Sequence, residues 1–332
     1  MTVDEAGTED GTPLSTIASG ATLVFGGRIV KLGLGFAVQV VMARLLGVDA
    51  YGTVVLATMV VGVSSLLAQS GLKAGLLRKL PYYEDDPADA RGIVKAGFQI
   101  GIATGVLASV LLLAAAPLIA RHVFGAPGLV TVLRVAALGI PFSVLLEIAV
   151  STARGTRDAK THVVVNQILS TTLTAVFVAA LLVAGLGAVG AVLGRVLSFA
   201  LSAAVAGVLA YRALPFDLRG PTTGKHAELL AFSLPLLLAR GSEWLLAQTD
   251  TLLIGTILSA ESVGLYNVVF RLQSLGMVFF YPVTFLLPPV LTRLMKAGDE
   301  RAAAETYKVT TKWMSLLTLP LFLLVFMFPE IV

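Results

Sequence analysis

The feature that most constrains this chain is a succession of apolar segments, each long enough to cross a bilayer. A transmembrane helix needs about 20 consecutive, predominantly apolar residues. Nine windows meet that length, near Leu14–Leu46, Thr53–Gly71, Phe98–Ala120, Val132–Thr152, His162–Ala184, Ala188–Tyr211, Leu229–Leu258, Ser262–Leu287 and Trp313–Val332. In lipid every backbone N–H and C=O must find a partner within the protein, so such runs are helices or closed barrels. Barrel strands alternate apolar and polar residues, and these runs are continuous. The first and seventh windows exceed a simple span. Each is expected to begin with an interfacial turn, or to bend at a small residue or proline.

Composition supports the same reading. Only 13% of the 332 residues are charged, against about 25% in soluble domains. Too few charges are available to cover a soluble surface, which excludes a soluble enzyme, a disordered chain and a coiled coil. There is no cysteine, so disulfides, thiolate metal sites and cysteine nucleophiles are excluded. His122, His162 and His226 lack metal-ligand spacing, and neither metal nor cofactor is expected. The first residues carry Asp4, Glu5, Glu9 and Asp10 and no cation, the opposite of a signal peptide. Residues 1–13 read as a solvated acidic tail.

Positive residues set orientation. With the N-terminus in the cytoplasm, 16 of the 24 lysines and arginines fall on the inner side of the membrane, in the clusters Lys73–Lys95, Arg154–Lys160, Arg212–Lys225 and Arg293–Lys312. The net charge of +4 is therefore a topology signal. Cations spread over four loops without interleaved aromatics do not indicate nucleic-acid binding.

An offset of 212 residues aligns Arg28 with Arg240, the turn Leu46–Gly52 with Leu258–Gly264, and Pro117 with Pro329. This pattern predicts two homologous halves. Six spans in the first half place the second in the same orientation, a parallel repeat. The expected organisation is a tail (1–13), a six-helix bundle (14–212), a cytoplasmic linker (213–227) and three helices of a second bundle (228–332). One and a half repeats lead to the expectation of either a fragment or the product of a truncated gene.

Gly185-Leu186-Gly187-Ala188-Val189-Gly190 matches the dinucleotide fingerprint, but its flanks are membrane helices and no acid follows at the required spacing. A tight turn between spans five and six is expected instead. Charges inside spans carry more information, because each costs a few kcal/mol to insert. Arg28 and Lys31 share a face of the first helix, and Gln39 lies on the same face three turns on. Arg240, Glu243 and Asp250 lie near one stripe of the seventh helix; Glu147, Arg195 and Arg271 occupy the fourth, sixth and eighth. Arg44 sits at a helix end, where it snorkels to the interface. Snorkelling and function are balanced for Arg195 and Arg271. Arg240 and Glu243 are candidates for mutual neutralisation as a buried pair. Asp250 is open between a cation or proton site and a partner for Arg28 or Arg271. Arg28 and Lys31, with no local acid, call for an anion or a water-filled cavity.

These residues resemble a family. Arg240…Asp250-Thr-Leu-Leu-Ile-Gly255…Val263-Gly264-Leu265-Tyr266…Arg271 is similar to the seventh and eighth helices of polysaccharide-export flippases. Ala43-Arg44-Leu45-Leu46-Gly47…Tyr51-Gly52, Gly155-Thr-Arg157-Asp-Ala-Lys160 and the turn Gly185–Gly190 also fit. These flippases belong to the multidrug/oligosaccharidyl-lipid/polysaccharide (MOP) exporter superfamily. The resemblance implies an all-α, MATE-like polytopic fold of two six-helix bundles around a V-shaped cavity. It also implies a place in the cell membrane. The implied substrate is a polyprenyl-phosphate- or diphosphate-linked oligosaccharide.

On that reading Arg28, Lys31, Arg240 and Arg271 hold the phosphate, because arginine's fork matches phosphate oxygens. Gln39, Glu147, Glu243 and Asp250 are cavity polar groups open to ion coupling. Glycosyltransferases or a polymerase of a glycan-assembly system are the expected partners. Two alternatives stand: a cation-coupled multidrug exporter of the same fold, and a non-transporting scaffold of a glycan-assembly complex. An enzyme is not expected. The only cytoplasmic surface available for catalysis is a Leu72–Ala96 loop, whose Glu84-Asp85-Asp86 run reads as solvated.

Overall fold

The computed structural model describes residues 13–327 except 84, 157, 277–286, 289 and 293. Side chains are described from residue 26 onward, apart from 159, 271–276, 321, 324 and 325. Helices, short turns and one irregular segment, 214–225, account for these residues, and no strand occurs among them. They fall into two compact units, Met1–Tyr266 and Asn267–Val332. The expected acidic tail lies outside the described residues.

In chain order the helices are α1 (Pro13–Leu46), α2 (Val48–Gln69), α3 (Leu72–Tyr82), α4 (Pro87–Leu118), α5 (Leu129–Ala137), α6 (Ile140–Gly155), the single turn α7 (Ala159–Thr161), α8 (Ser170–Val183), α9 (Gly187–Ala213), α10 (His226–Ile257), α11 (Ala260–Gly276) and α12 (Glu300–Met327). Two π-helical segments, Ile119–Val123 and His162–Leu169, extend α4 and lead into α8. Among the described residues, seven helical stretches are long and apolar enough to cross a bilayer, from Gly26–Leu46 to His226–Ile257. Large apolar side chains such as Leu107, Val183, Leu238 and Leu246 face outward. An apolar exterior on this scale is the surface of a protein solvated by lipid. The chain is a multi-pass membrane protein.

Two expectations about boundaries are corrected. Leu72–Ala96 is not a loop: α3 and the first turns of α4 occupy it, joined by a short turn that includes Tyr83 and Asp86. Leu72, Leu76 and Ile93 are fully buried there, against Ala137, Ile140, Val144, Ile148 and Leu229. Charged residues on the other faces had lowered the hydropathy of helices that are amphipathic. Asp86 starts α4 by accepting the Ala88 and Asp89 N–H groups at 3.0 and 3.2 Å, with Pro87 following at the first helical position. The ninth window begins earlier than expected, because α12 starts at Glu300 and includes polar residues with good helix propensity. Asp299 opens it by accepting Ala302 N–H at 2.9 Å. Residues 277–286 of the eighth window and 328–332 of the ninth, with Pro329, lie outside the described residues.

The fourth window is broken at Leu138–Gly139 into α5 and α6. Pro141 has no N–H to give the Ala137 carbonyl four residues earlier. Ser109 Oγ of α4, itself buried, donates to that carbonyl at 2.8 Å. Between α8 and α9, Gly185 and Gly187 adopt φ of +81° and +56°. This is the expected tight turn, with helices on both sides. The offset of 212 reappears in packing. A methyl on Gly52 would overlap the Ala260 carbonyl, and one on Gly264 would overlap the Val48 carbonyl.

The segment 214–225 is fastened to the α3–α4 turn. Lys225 Nζ pairs with Asp89 at 2.6 Å and Glu228 at 3.3 Å, and lies 4.3 Å from the centre of the Tyr83 ring. Lys79 and Tyr83 both donate to Glu228 Oε1 at 2.7 Å. Arg91 donates to the carbonyls of Asp217 and Pro221 at 2.7 and 3.2 Å. The Asp89 carboxylate, followed by Tyr83 and Glu228, holds the Lys225 ammonium proton well above the usual lysine range. In the second unit, Phe322 and Phe326 stack on α12 with centres 6.2 Å apart.

Candidate functional site

Polar side chains meet where α1, α3, α6 and the π-helical segment converge. Glu147 of α6 is the centre. Its Oε2 pairs with Lys73 Nζ of α3 at 2.7 Å, and its Oε1 accepts from Asn166 Nδ2 at 2.9 Å. Both carboxylate oxygens are thus engaged, and the Glu147 side chain is only 22% exposed. Lys31 of α1 lies within electrostatic range of Glu147, Lys73 and Arg28. Lys31 makes no ion pair or hydrogen bond to the described residues. His162 faces the same group and senses Arg154, Lys73, Glu147 and Lys31.

Local structure explains the convergence. Gly27 lets α1 approach the π-helical segment, since a methyl there would strike Val163 and Gln167. A π-helix re-aims side chains relative to an α-helix and recurs at functional sites. Here it leaves Gln167 Oε1 and His162 Nδ1 enclosed with no hydrogen-bond partner among the described residues. Buried polar atoms of this kind are rare and call for a reason.

The expected site residues separate into several places. Lys31 and Glu147 come together, with Arg28 in range of Lys31. The expectation of no local acid is corrected for Lys31, because folding brings Glu147 within its range from another helix. Gln39 accepts from Tyr51 Oη at 2.9 Å, tying α1 to α2. Arg240 and Glu243 do pair, at 2.9 Å, but with side chains 72% and 68% exposed. The buried-pair expectation fails because that face of α10 is uncovered within its unit. Asp250 accepts from Tyr266 Oη and from the Thr251 N–H. Arg195 bonds Thr58 Oγ1 of α2 at 2.7 Å, where snorkelling had been the alternative. The Arg271 side chain lies outside the described residues.

Lys73, Asn166 and His162 are the residues sequence reasoning missed. Lys73 had been counted as a loop cation. His162, Asn166 and Gln167 form a polar run inside an otherwise apolar span, a signal that was available. No group of three or more histidine, aspartate or glutamate side chains among the described residues is arranged to hold a metal ion.

The sequence model of the polysaccharide biosynthesis protein family matches residues 41–332. The chain belongs to that family. No curated relative matches it. Solved structures share its fold. An inward-facing multidrug resistance MATE family transporter of the MOP superfamily is 18% identical, with a TM-score of 0.71, over 91% of this chain and 74% of that one. A MOP superfamily transporter from Pyrococcus furiosus, described as having a binding pocket of reverse polarity, is 17% identical with a TM-score of 0.64, covering 96% and 73%. A third, an outward-facing multidrug resistance MATE family transporter of the MOP superfamily, is 16% identical with a TM-score of 0.59, covering 94% and 81%. At these identities the likeness establishes a MATE-like fold. The family match adds the polysaccharide association.

Proposed function

We propose that this member of the polysaccharide biosynthesis family is a membrane flippase for an oligosaccharide linked to a polyprenyl phosphate or diphosphate. The observation that carries the reading is the Glu147 carboxylate, paired with Lys73 and within electrostatic range of Lys31. Two ammonium groups against one acid leave a positive site in a region of low dielectric, where an anion is strongly favoured. A phosphate headgroup supplies that anion. The sugar crosses in the polar interior while the prenyl tail stays in lipid. Rocking of the repeats exchanges access between faces.

Orientation adds a driving force. With the N-terminus cytoplasmic in the cell membrane, the substrate moves outward. Carrying one negative charge outward through about 100 mV, negative inside, releases about 2.3 kcal/mol. Glycosyltransferases and a polymerase that build and consume the lipid-linked sugar are the partners this chemistry requires. Deleting the gene in its native host tests the reading: lipid-linked glycan accumulates on the cytoplasmic leaflet. An unchanged leaflet distribution contradicts it.

The multidrug-exporter reading draws support from Asp250, held by Tyr266 and the Thr251 backbone on α10. An acid of this kind suits an organic cation. A deletion strain that is sensitised to cationic drugs, with normal glycan distribution, favours that reading.

A further inference from the structure

We propose that the Glu147 carboxylate is an internal plug of the anion site, exchanged for the substrate phosphate with uptake of one proton. The proposal rests on the flippase reading and adds how the site is loaded.

The geometry carries it. Glu147 spends one oxygen on Lys73 at 2.7 Å and the other on Asn166 at 2.9 Å. A phosphate seeking the Lys31–Lys73 site therefore meets a carboxylate already on Lys73. The two anions therefore compete for the same Lys73 ammonium. The pair is also only partly sealed, since the Lys73 side chain is 42% exposed. Exchange follows: phosphate takes Lys73, and Glu147 loses its counter-ion. A carboxylate without a counter-ion in an enclosed site binds a proton, because burial penalises the charged form. The proton comes from water and returns to it when the phosphate leaves and Lys73 recovers Glu147. No bond other than O–H forms or breaks.

Other groups around Glu147 fit the exchange. Asn166 donates an N–H to Glu147 Oε1 in the plugged state, and an amide can serve a protonated carboxyl equally well. Gln167 Oε1 on the same π-helical segment is enclosed with no hydrogen-bond partner among the described residues, an acceptor in reserve. Among the described residues, Glu147 is surrounded by Lys73 of α3, Lys31 of α1 and His162 of the π-helical segment, with Arg28 beyond Lys31 and Arg154 beyond His162. Among the described residues, Glu147 is the one acidic group in this cluster. His162 is the competing proton acceptor, and the test separates the two.

The test uses the full chain in lipid nanodiscs with farnesyl-diphosphoryl-N-acetylglucosamine as the probe, a diester whose phosphates do not titrate in the range used. Binding heats are measured in buffers of different ionisation enthalpy and across about pH 5.5 to 8.5. Wild type is expected to take up about one proton per probe, with affinity rising about tenfold for each pH unit lowered in the linked range. Glu147→Gln is expected to bind more tightly at the alkaline end, with neither proton uptake nor pH slope. His162→Gln is expected to retain both. Proton uptake that survives in Glu147→Gln, or disappears in His162→Gln, overturns the plug while leaving the anion site standing. If Glu147→Gln does not fold, absence of uptake in wild type still overturns it. A diphosphate that binds neither wild type nor Glu147→Gln at any pH removes the flippase reading itself.

Discussion

Gly52 and Gly264 pack against each other's backbone in a reciprocal contact. A methyl on Gly52 would sit 3.0 Å from the Gly264 nitrogen, and one on Gly264 would sit 3.2 Å from the Gly52 nitrogen. The contact continues outward to the Ala260 and Val48 carbonyls, which are related by the same offset of 212. A self-complementary contact between equivalent surfaces is the signature of a two-fold relation. Here it joins the first turns of α2 and α11. Gly52→Ala and Gly264→Ala are each expected to cost about 1–3 kcal/mol, since neither backbone can yield without moving a helix. The double variant is expected to be non-additive, because relieving one clash opens space for the other. Gly33→Ala, which meets open space, is expected to be neutral or slightly stabilising. Thermal unfolding in detergent distinguishes these outcomes.

The break between α5 and α6 supports a second prediction. Ser109 Oγ satisfies the carbonyl that Pro141 leaves open. Ser109→Ala is expected to destabilise by about 1–2 kcal/mol, the cost of stranding a buried acceptor. Pro141→Ala restores an N–H and is expected to reduce that cost in the double variant. Equal losses in both backgrounds would show that the Ala137 carbonyl is not the reason for the serine.

The Lys225 clamp has a defined pH behaviour. Its ammonium is held above the ordinary lysine value by the hydrogen bond to Asp89. A raised value contributes stability that is complete below the unfolded lysine range and disappears only as pH climbs through the folded value. The difference in melting temperature between wild type and Lys225→Met is therefore expected to be constant from about pH 6 to about pH 9 and to shrink only in stronger alkali. A difference that varies across neutral pH would show that another group controls the segment 214–225.

Much of the architecture was legible because the bilayer sets a length and forbids unpaired backbone. That constraint exposed the spans, and the repeat exposed the Gly52–Gly264 pair through a turn of seven residues. The site was less legible because it depends on contacts distant in sequence. Glu147 and Lys73 are 74 residues apart, and hydropathy placed one in a span and the other in a loop. The amphipathic α3 hid Lys73, since a helix with a charged face averages to the hydropathy of a loop. The π-helical turn that presents Asn166 and His162 has no period that an α-helical reading detects. Asp250 and Tyr266 sit on consecutive helices, and nothing in their spacing of 16 residues forces them to meet.

Lys31 and Lys73 are the centre of the account, so the most direct measurement is flipping itself. Full-length protein is reconstituted into liposomes with a fluorescent prenyl-diphosphate-linked oligosaccharide, and the fraction reaching the outer leaflet is followed by quenching. Lys31→Gln and Lys73→Gln are each expected to slow translocation by at least about tenfold, the loss of one charge-assisted contact to phosphate, with Lys73→Arg retaining most of it. Wild-type rates in the Lys31→Gln/Lys73→Gln double variant, with the protein folded and inserted, would contradict the anion site and the function built on it.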